Sequence, residues 1–288
     1  MAMVESIQRA IEYIENNLRE QIDIEEVARH ATMSPFHFQR VFTMLTEIPV
    51  GEYIRRRRLS IAAQELLTSD RKIIDIAFQF GYETPEAFTK AFRRQHGTSP
   101  TEVRKLQGKL QSYNRLVIQV TLKGADPMNY KVVSKKAFKV VGVKRIFSYE
   151  NDAQTSEIPK LWEEVNQNGV TAKLFQRNDG PVTGVLGVCN VSSDDMKKKE
   201  LIEYWVATAA EGDAPEGMDS MEIPASRWAI FEVRGSMPDA MKKAWKQIFS
   251  EWFPSTSHEH AGTPEFELYT DEDPSSPDLY SEIWIPIK

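Results

Sequence analysis

The 288-residue chain holds one cysteine, Cys189, and no apolar run approaching the roughly 18 residues that a membrane-spanning helix needs. A single thiol excludes an internal disulfide framework and a thiolate zinc cluster. The opening segment, MAMVESIQRAIEYIENN, is charged throughout and lacks the apolar centre of a secretory signal. The five histidines, His30, His37, His96, His258 and His260, are scattered, and His258-x-His260 reads as a loop. No nucleophile elbow or paired-histidine motif is present. No cofactor and no metal site are therefore expected, and the expected setting is a reducing cytoplasm without membrane contact.

What is present is ample core material. The chain is 41% hydrophobic and 27% charged, which excludes global disorder, and its length suggests two domains. The net charge of −6 argues at first against nucleic acid, but it is unevenly spread. Residues 1–108 hold 15 basic and 15 acidic residues, and residues 109–288 hold 21 and 27, so the whole excess is C-terminal. In the N-terminal part, basic residues gather at Arg55 to Arg58 and at Lys90, Arg93 and Arg94. A local basic surface matters more for DNA than the sum over the chain.

The first hundred residues repeat. Val27-Ala28 matches Ile76-Ala77 at an offset of 49, and Ser34-Pro35, Phe38 and Phe42 match Thr84-Pro85, Phe88 and Phe92 at an offset of 50. Each copy reads as two helices joined by a tight turn. Ile24, Val27, Ala28 and Ala31 form a helical stripe, and Ser34 and Pro35 suit an N-cap and a first helical residue. Phe38, Val41, Phe42 and Leu45, and then Phe88, Ala91 and Phe92, supply the buried faces, while Gly81 suits a positive φ in the turn. Flanking helices are expected near 4–18, 50–67 and 100–106.

Two helical hairpins could be ordinary bundle structure. The remaining faces point further. Phe36, Gln39, Arg40 and Thr43 lie off the apolar stripe of the first outer helix, and Glu86, Thr89, Lys90 and Arg93 off that of the second. Gln and Arg can form bidentate bonds to base edges, and Lys and Arg near helix ends can hold phosphates. Arg55 joins the candidate DNA contacts, within a basic run expected to combine an ion pair with backbone contacts. Two units in one chain can enter successive major-groove segments roughly 34 Å apart, so a monomer or weak dimer suffices.

The segment built on Ala28, Ala31, Ser34, Phe38, Arg40, Phe42, Arg58 and Leu59, continued by Ile76, Ala77, Gly81, Phe88, Phe92, Gly97, Pro100 and Arg104, resembles the AraC/XylS family of bacterial regulators over residues 5–105. The resemblance implies a double helix-turn-helix domain in which the second helix of each unit enters the groove of double-stranded DNA. By motif position the readers are then Phe36, Gln39 and Arg40, and Glu86, Thr89 and Lys90. Pro35 and Pro85 depart from the polar residues frequent there, and Glu86 is acidic. RNA polymerase is an implied partner.

After Met128 a second organisation begins. FKVVGVKRIFSY, SEIPKLWEEVNQNG, GVLGVCNV and LIEYWVATAA read as strand, helix, strand and strand. SRWAIFEVRG, DAMKKAWKQIFSEWFP, FELYTDE and YSEIWIPIK repeat that order. The fold class is therefore multidomain: an all-α double helix-turn-helix domain, then an α+β domain of duplicated strand-helix-strand-strand modules with pseudo-two-fold symmetry. The expected boundaries are 1–107, a linker at 108–127 carrying one strand at Arg115–Leu122, and 128–288. Trp162 and Trp245 or Phe249 should face the sheet.

Strand alternation sets Ile283, Ile285 and Ile287 on one face, toward the helices, and Glu282 and Trp284 on the other. Glu267 and Tyr269, Trp205 and Tyr204, and Trp228 are expected to join Glu282 and Trp284 as ligand contacts. Acids beside aromatics suit a cationic or amphipathic organic ligand, since rings attract cations and a carboxylate supplies counter-charge. Residues 128–288 resemble the GyrI-like effector-binding domain, which implies a small-molecule sensor with Glu282 as its central acid. Together the halves lead to a ligand-responsive transcription regulator, an activator by family, and not an enzyme. Two other readings stay open: a small-molecule hydrolase using Glu282 with Glu267, and a domain that sequesters another protein.

Overall fold

The computed structural model describes residues 2–106, 110–117, 127–191 and 193–288. The chain divides into two compact units, Met3–Val120 and, apart from the first two residues, Thr121–Lys288. Among the described residues no helix is long and apolar enough to cross a membrane.

The first unit is helical. Its elements are α1 (Ala2–Asn16), α2 (Ile24–His30), α3 (Pro35–Thr46), α4 (Val50–Thr68), α5 (Ile73–Gln79), α6 (Pro85–His96) and α7 (Pro100–Leu106). The repeat extends into the caps. Ser34 Oγ accepts from the His37 amide at 3.3 Å and Thr84 Oγ1 from the Ala87 amide at 3.1 Å, each ahead of a proline in the first helical turn. α3 and α6 both end on a left-handed residue, Glu47 and Gly97. At the same offset, Val50 of α4 matches Pro100 of α7, so the third helix of each unit also repeats.

The turn inside each unit needs a residue at positive φ. Thr32 at +57° fills it in the first copy and Gly81 at +81° in the second, and the following amides, Met33 and Tyr82, bond back to Ala28 and Ala77 at 3.0 Å each. A Cβ at Gly81 would stand 2.8 Å from Arg58 Nη1. Arg58 cannot readily yield, because its Nε and Nη2 donate to the carbonyls of Leu18 and Glu20 at 2.9 and 2.6 Å. Gly81→Ala is expected to cost about 1–2 kcal/mol from the left-handed backbone alone. A urea midpoint equal to that of the wild type would refute this.

α4 joins the two copies because it buries residues along its whole length. Val50, Tyr53 and Ile54 are buried in its first half, where the Tyr53 ring packs on Phe42 at 5.7 Å. Leu59, Ala62, Ala63 and Leu66 enter the second copy's core with Ile76, Ala77, Phe80, Phe88, Phe92 and Val103. Arg115–Val117 are irregular, so that part of the linker strand expected over Arg115–Leu122 does not form; the rest lies outside the described residues.

The second unit is one antiparallel eight-stranded sheet. Its strands are β1 (Tyr130–Lys135), β2 (Phe138–Ser148), β3 (Val185–Asn190), β4 (Leu201–Ala209), β5 (Asp219–Ile223), β6 (Ser226–Arg234), β7 (Glu265–Tyr269) and β8 (Tyr280–Ile287). The spatial order is β1-β6-β8-β7-β3-β4-β2-β5, which maps onto itself when the two halves are exchanged about the β7–β3 seam. Each module therefore has one more strand than the sequence reading assigned, and that strand is swapped: β1 pairs with β6, and β5 with β2. α8 (Gln154–Gln167) and α9 (Val170–Gln176), with Gly169 at φ +76° between them, cover one face with α11 (Asp239–Gln247) and the π-turn Ile248–Trp252. A short α10 (Asp194–Lys198) precedes β4.

Trp162 and Trp245 do face the sheet. Trp162 Nε1 donates to Tyr204 Oη at 2.8 Å and Trp245 Nε1 to Glu267 Oε1 at 2.6 Å. Gly187 allows the first of these, since a Cβ there would lie 2.3 Å from Tyr204 Oη. The opposite face is also buried. Phe138 of β2 meets Phe266 of β7 at 6.2 Å although β3 and β4 lie between their strands, so the sheet curls over this face. Inside the curl lie Trp205, Trp228, Ile230, Phe266, Leu268 and Trp284.

Candidate DNA-binding helices and effector pocket

α3 and α6 have the same backbone but different outer surfaces. On α6, Glu86, Lys90, Arg93 and Arg94 are exposed and Thr89 is half-buried. None of those three cations has a carboxylate within 4 Å among the described residues. On α3, Arg40 and Thr43 are half-buried, while Phe36 and Gln39 are 8% and 5% exposed. The first turn of α3, Pro35-Phe36-His37-Phe38, has no Asp, Glu, Lys or Arg, whereas α6 opens on Pro85-Glu86-Ala87.

The basic run of α4 is turned inward. Arg55 and Arg56 both bond to Glu52, with Arg55 Nε at 2.9 Å from Glu52 Oε2. Arg57 pairs with Glu15 at 2.6 Å, and Arg58 is held by the two carbonyls named above. Burial opposes the charge on Glu15, but the hydrogen bonds from Arg57 and Tyr53 prevail and hold its carboxyl below the usual range. Glu52 therefore partly neutralises the charge of Arg55. Of the expected DNA contacts, the exposed cations are Lys90 and Arg93 of α6.

On the sheet, register sorts the expected ligand residues. Phe266 pairs with Trp284 and Leu268 with Glu282, so these four share the curled face. Glu267 pairs with Ile283 and Tyr269 with Ser281, which puts both on the helix-covered face. There Tyr269 Oη donates to Glu267 Oε2 at 2.6 Å, and burial raises its phenol well above the ordinary range. Tyr204 lies on that face too, as the acceptor of Trp162. Three expected ligand residues, Tyr204, Glu267 and Tyr269, are thus helix–sheet contacts. Both faces are buried, so alternation does not say which set is covered by helices. The same register separates Glu282 from Glu267, and the paired acids of the hydrolase reading never meet.

Glu282 and Trp284 line a pocket of about 400 Å³ with Lys131, Val133, Lys135, Ile230, Leu268 and Tyr280. Glu282 is 7% exposed. Tyr280 Oη donates to its Oε1 at 2.6 Å and Trp284 Nε1 to its Oε2 at 2.7 Å. Burial first, and Glu282 second, push the Tyr280 phenol above its usual range, which keeps it a protonated donor. Trp228 is a floor residue: it is fully buried, with its ring 5.9 Å from Trp284 and 5.1 Å from Phe266. Trp205 belongs to the other half, where its Nε1 donates to Glu203 at 3.1 Å. Sequence reasoning missed Tyr280, Lys131 and Lys135. The signal for Tyr280 was its place two residues before Glu282; the signal for the lysines was the alternation in YKVVSK.

Residues 131–287 match the family described as integron-associated effector binding protein, and residues 27–106 match a helix-turn-helix domain. The transcriptional activator AarP of Providencia stuartii is 38% identical over 95 residues, which are 33% of this chain and 70% of that protein. The regulatory protein SoxS of Salmonella typhimurium is 38% identical over 104 residues, 36% of this chain and 97% of that protein. The solved structure of SAV2435 bound to tetraphenylphosphonium is 26% identical with a TM-score of 0.50, covering 56% of this chain and 94% of that one. The helical unit and the curled sheet are each matched by a family along most of their length, and the chain is a helix-turn-helix DNA-binding regulator of the AraC type whose C-terminal half belongs to the integron-associated, GyrI-like effector-binding family.

Proposed function

We propose that this chain is a cytoplasmic transcription activator that binds double-stranded DNA through α3 and α6, contacts RNA polymerase, and takes a lipophilic organic cation in the Glu282 pocket. The observation that carries the ligand class is the buried Glu282 carboxylate, held by Tyr280 and Trp284 beside Val133, Ile230 and Leu268. Such a carboxylate attracts a cation, and the surrounding apolar walls favour a large one over a hydrated one. SAV2435, which resembles the sheet unit, was solved with tetraphenylphosphonium, a cation of this kind. The placement of Glu267 on the opposite face supports binding over hydrolysis. Ligand would act by favouring one state of the chain, and the coupling is reciprocal between pocket and DNA.

Calorimetry with tetraphenylphosphonium tests the reading. Glu282→Gln keeps the shape, and its amide can still accept from Trp284 and donate to the Tyr280 hydroxyl, but it removes the charge and is expected to weaken binding about tenfold or more. Equal affinity for both proteins would remove Glu282 as the counter-charge.

A further inference from the structure

The Glu282 pocket already contains two ammonium groups of the chain itself. Lys131 Nζ lies 3.5 Å from Glu282 Oε1. Lys135 Nζ stands 6.0 Å from the centre of the Trp284 ring and donates to the Pro181 carbonyl at 3.2 Å. Carboxylate and ring, the two features an entering cation would use, each face a lysine from β1.

The pseudo-two-fold repeats this chemistry in the other half. Glu203 and Trp205 of β4 correspond to Glu282 and Trp284 of β8, and in both pairs the indole donates to the carboxylate two residues earlier. In that half one lysine faces both groups: Lys144 Nζ is 3.6 Å from Glu203 Oε1 and 5.1 Å from the Trp205 ring. Lys144 comes from β2, where it is paired with Trp205 of β4. Lys131 and Lys135 come from β1, the edge of the sheet, paired only with β6. The Lys131 side chain is 56% exposed, so rotation about its own bonds moves its ammonium into water without disturbing the strand.

We propose that Lys131 and Lys135 are tethered counter-cations that occupy the Glu282–Trp284 site and set which ligands can enter it. This rests on the reading of the pocket as a site for organic cations. A small hydrated cation replaces an ammonium with another ammonium-like charge and must shed its own water to do so, so it gains nothing. A lipophilic cation makes the same exchange and also buries apolar surface on Val133, Ile230 and Leu268, a gain that scales with area. The lysines thereby select for size and hydrophobicity among cations. Glu203, facing Lys144, repeats the same acid, indole and lysine set in the other half.

The test is calorimetry on the full chain at fixed ionic strength, with tetraphenylphosphonium and with tetramethylammonium. Lys131→Met/Lys135→Met keeps unbranched side chains and removes both charges; ligand-free thermal unfolding checks that the fold survives. The double variant is expected to bind tetraphenylphosphonium about fivefold more tightly than wild type and to gain measurable affinity for tetramethylammonium. Lys136→Met, an exposed lysine just beyond β1, controls for net charge and should change neither. Adding Glu282→Gln to the double variant should abolish both gains. If wild type binds tetraphenylphosphonium in a Glu282-dependent way and the double variant binds no better, the lysines are bystanders and the inference falls alone. If wild type and double variant both bind without dependence on Glu282, or neither binds, the cation-site reading falls and takes the inference with it.

Discussion

Replacing Phe88 by alanine is expected to destabilise the helical unit by about 3–5 kcal/mol and to abolish sequence-specific DNA binding. Phe88 is fully buried, with its ring 5.3 Å from Tyr82 and 5.5 Å from Phe92. The space it leaves is walled by Leu59 of α4, Ile76 of α5, Phe92 of α6 and Val103 of α7. Four elements would have to shift to close it, so most of the cavity persists. A domain of this size is stable by only about 5–15 kcal/mol, so α6 would lose most of its support. All six tryptophans, from Trp162 to Trp284, lie in the sheet unit, which gives each unit its own probe. The helical unit's transition in far-ultraviolet dichroism should move down by roughly 2 M urea for a slope near 2 kcal/mol/M. The tryptophan fluorescence transition should stay where it is in the wild type. Equal movement of both would mean that the two units unfold together.

That separation follows from features the sequence displays well and features it displays badly. The double helical unit was legible because its signals are local: Ser34-Pro35 and Thr84-Pro85 cap helices from within the next turn, and the Phe38–Phe42 spacing recurs as Phe88–Phe92. Thr32 was not legible as the partner of Gly81, because a β-branched residue at positive φ goes against its own preference. In the sheet the module order was readable but the exchange of β1 and β5 was not, since alternation fixes a strand's two faces and says nothing of its neighbour. The error over Glu267 and Tyr269 has the same root. Phe266 and Leu268 are apolar because the sheet curls over them, and Ile283 and Ile285 because helices cover them. A strand buried on both sides offers two apolar sets, and only register tells which set accompanies Glu282. The acid itself was legible, as Glu-x-Trp stands out in both β4 and β8.

The electrostatic part of DNA binding is expected to lie on α6. Lys90 and Arg93 are exposed, lie three residues apart on one helical face, and have no carboxylate within 4 Å among the described residues. Arg55 to Arg58 spend their charge inside the unit, on Glu52, Glu15 and main-chain carbonyls. If Lys90 and Arg93 each neutralise one phosphate, Lys90→Ala/Arg93→Ala lowers the slope of log affinity against log salt by about 1.8. Over a tenfold rise in salt the wild type should then lose about 60-fold more affinity than the variant. Discrimination between a specific site and random duplex should change little, because phosphate contacts position the protein without reading bases. Both substitutions sit on the solvent side of α6, away from Phe88 and Phe92, so the fold is spared and any loss belongs to the interface. Identical salt slopes for the two proteins would move the phosphate contacts off Lys90 and Arg93. They would then come from other exposed cations of the unit, such as Lys72, Arg94 or Lys105.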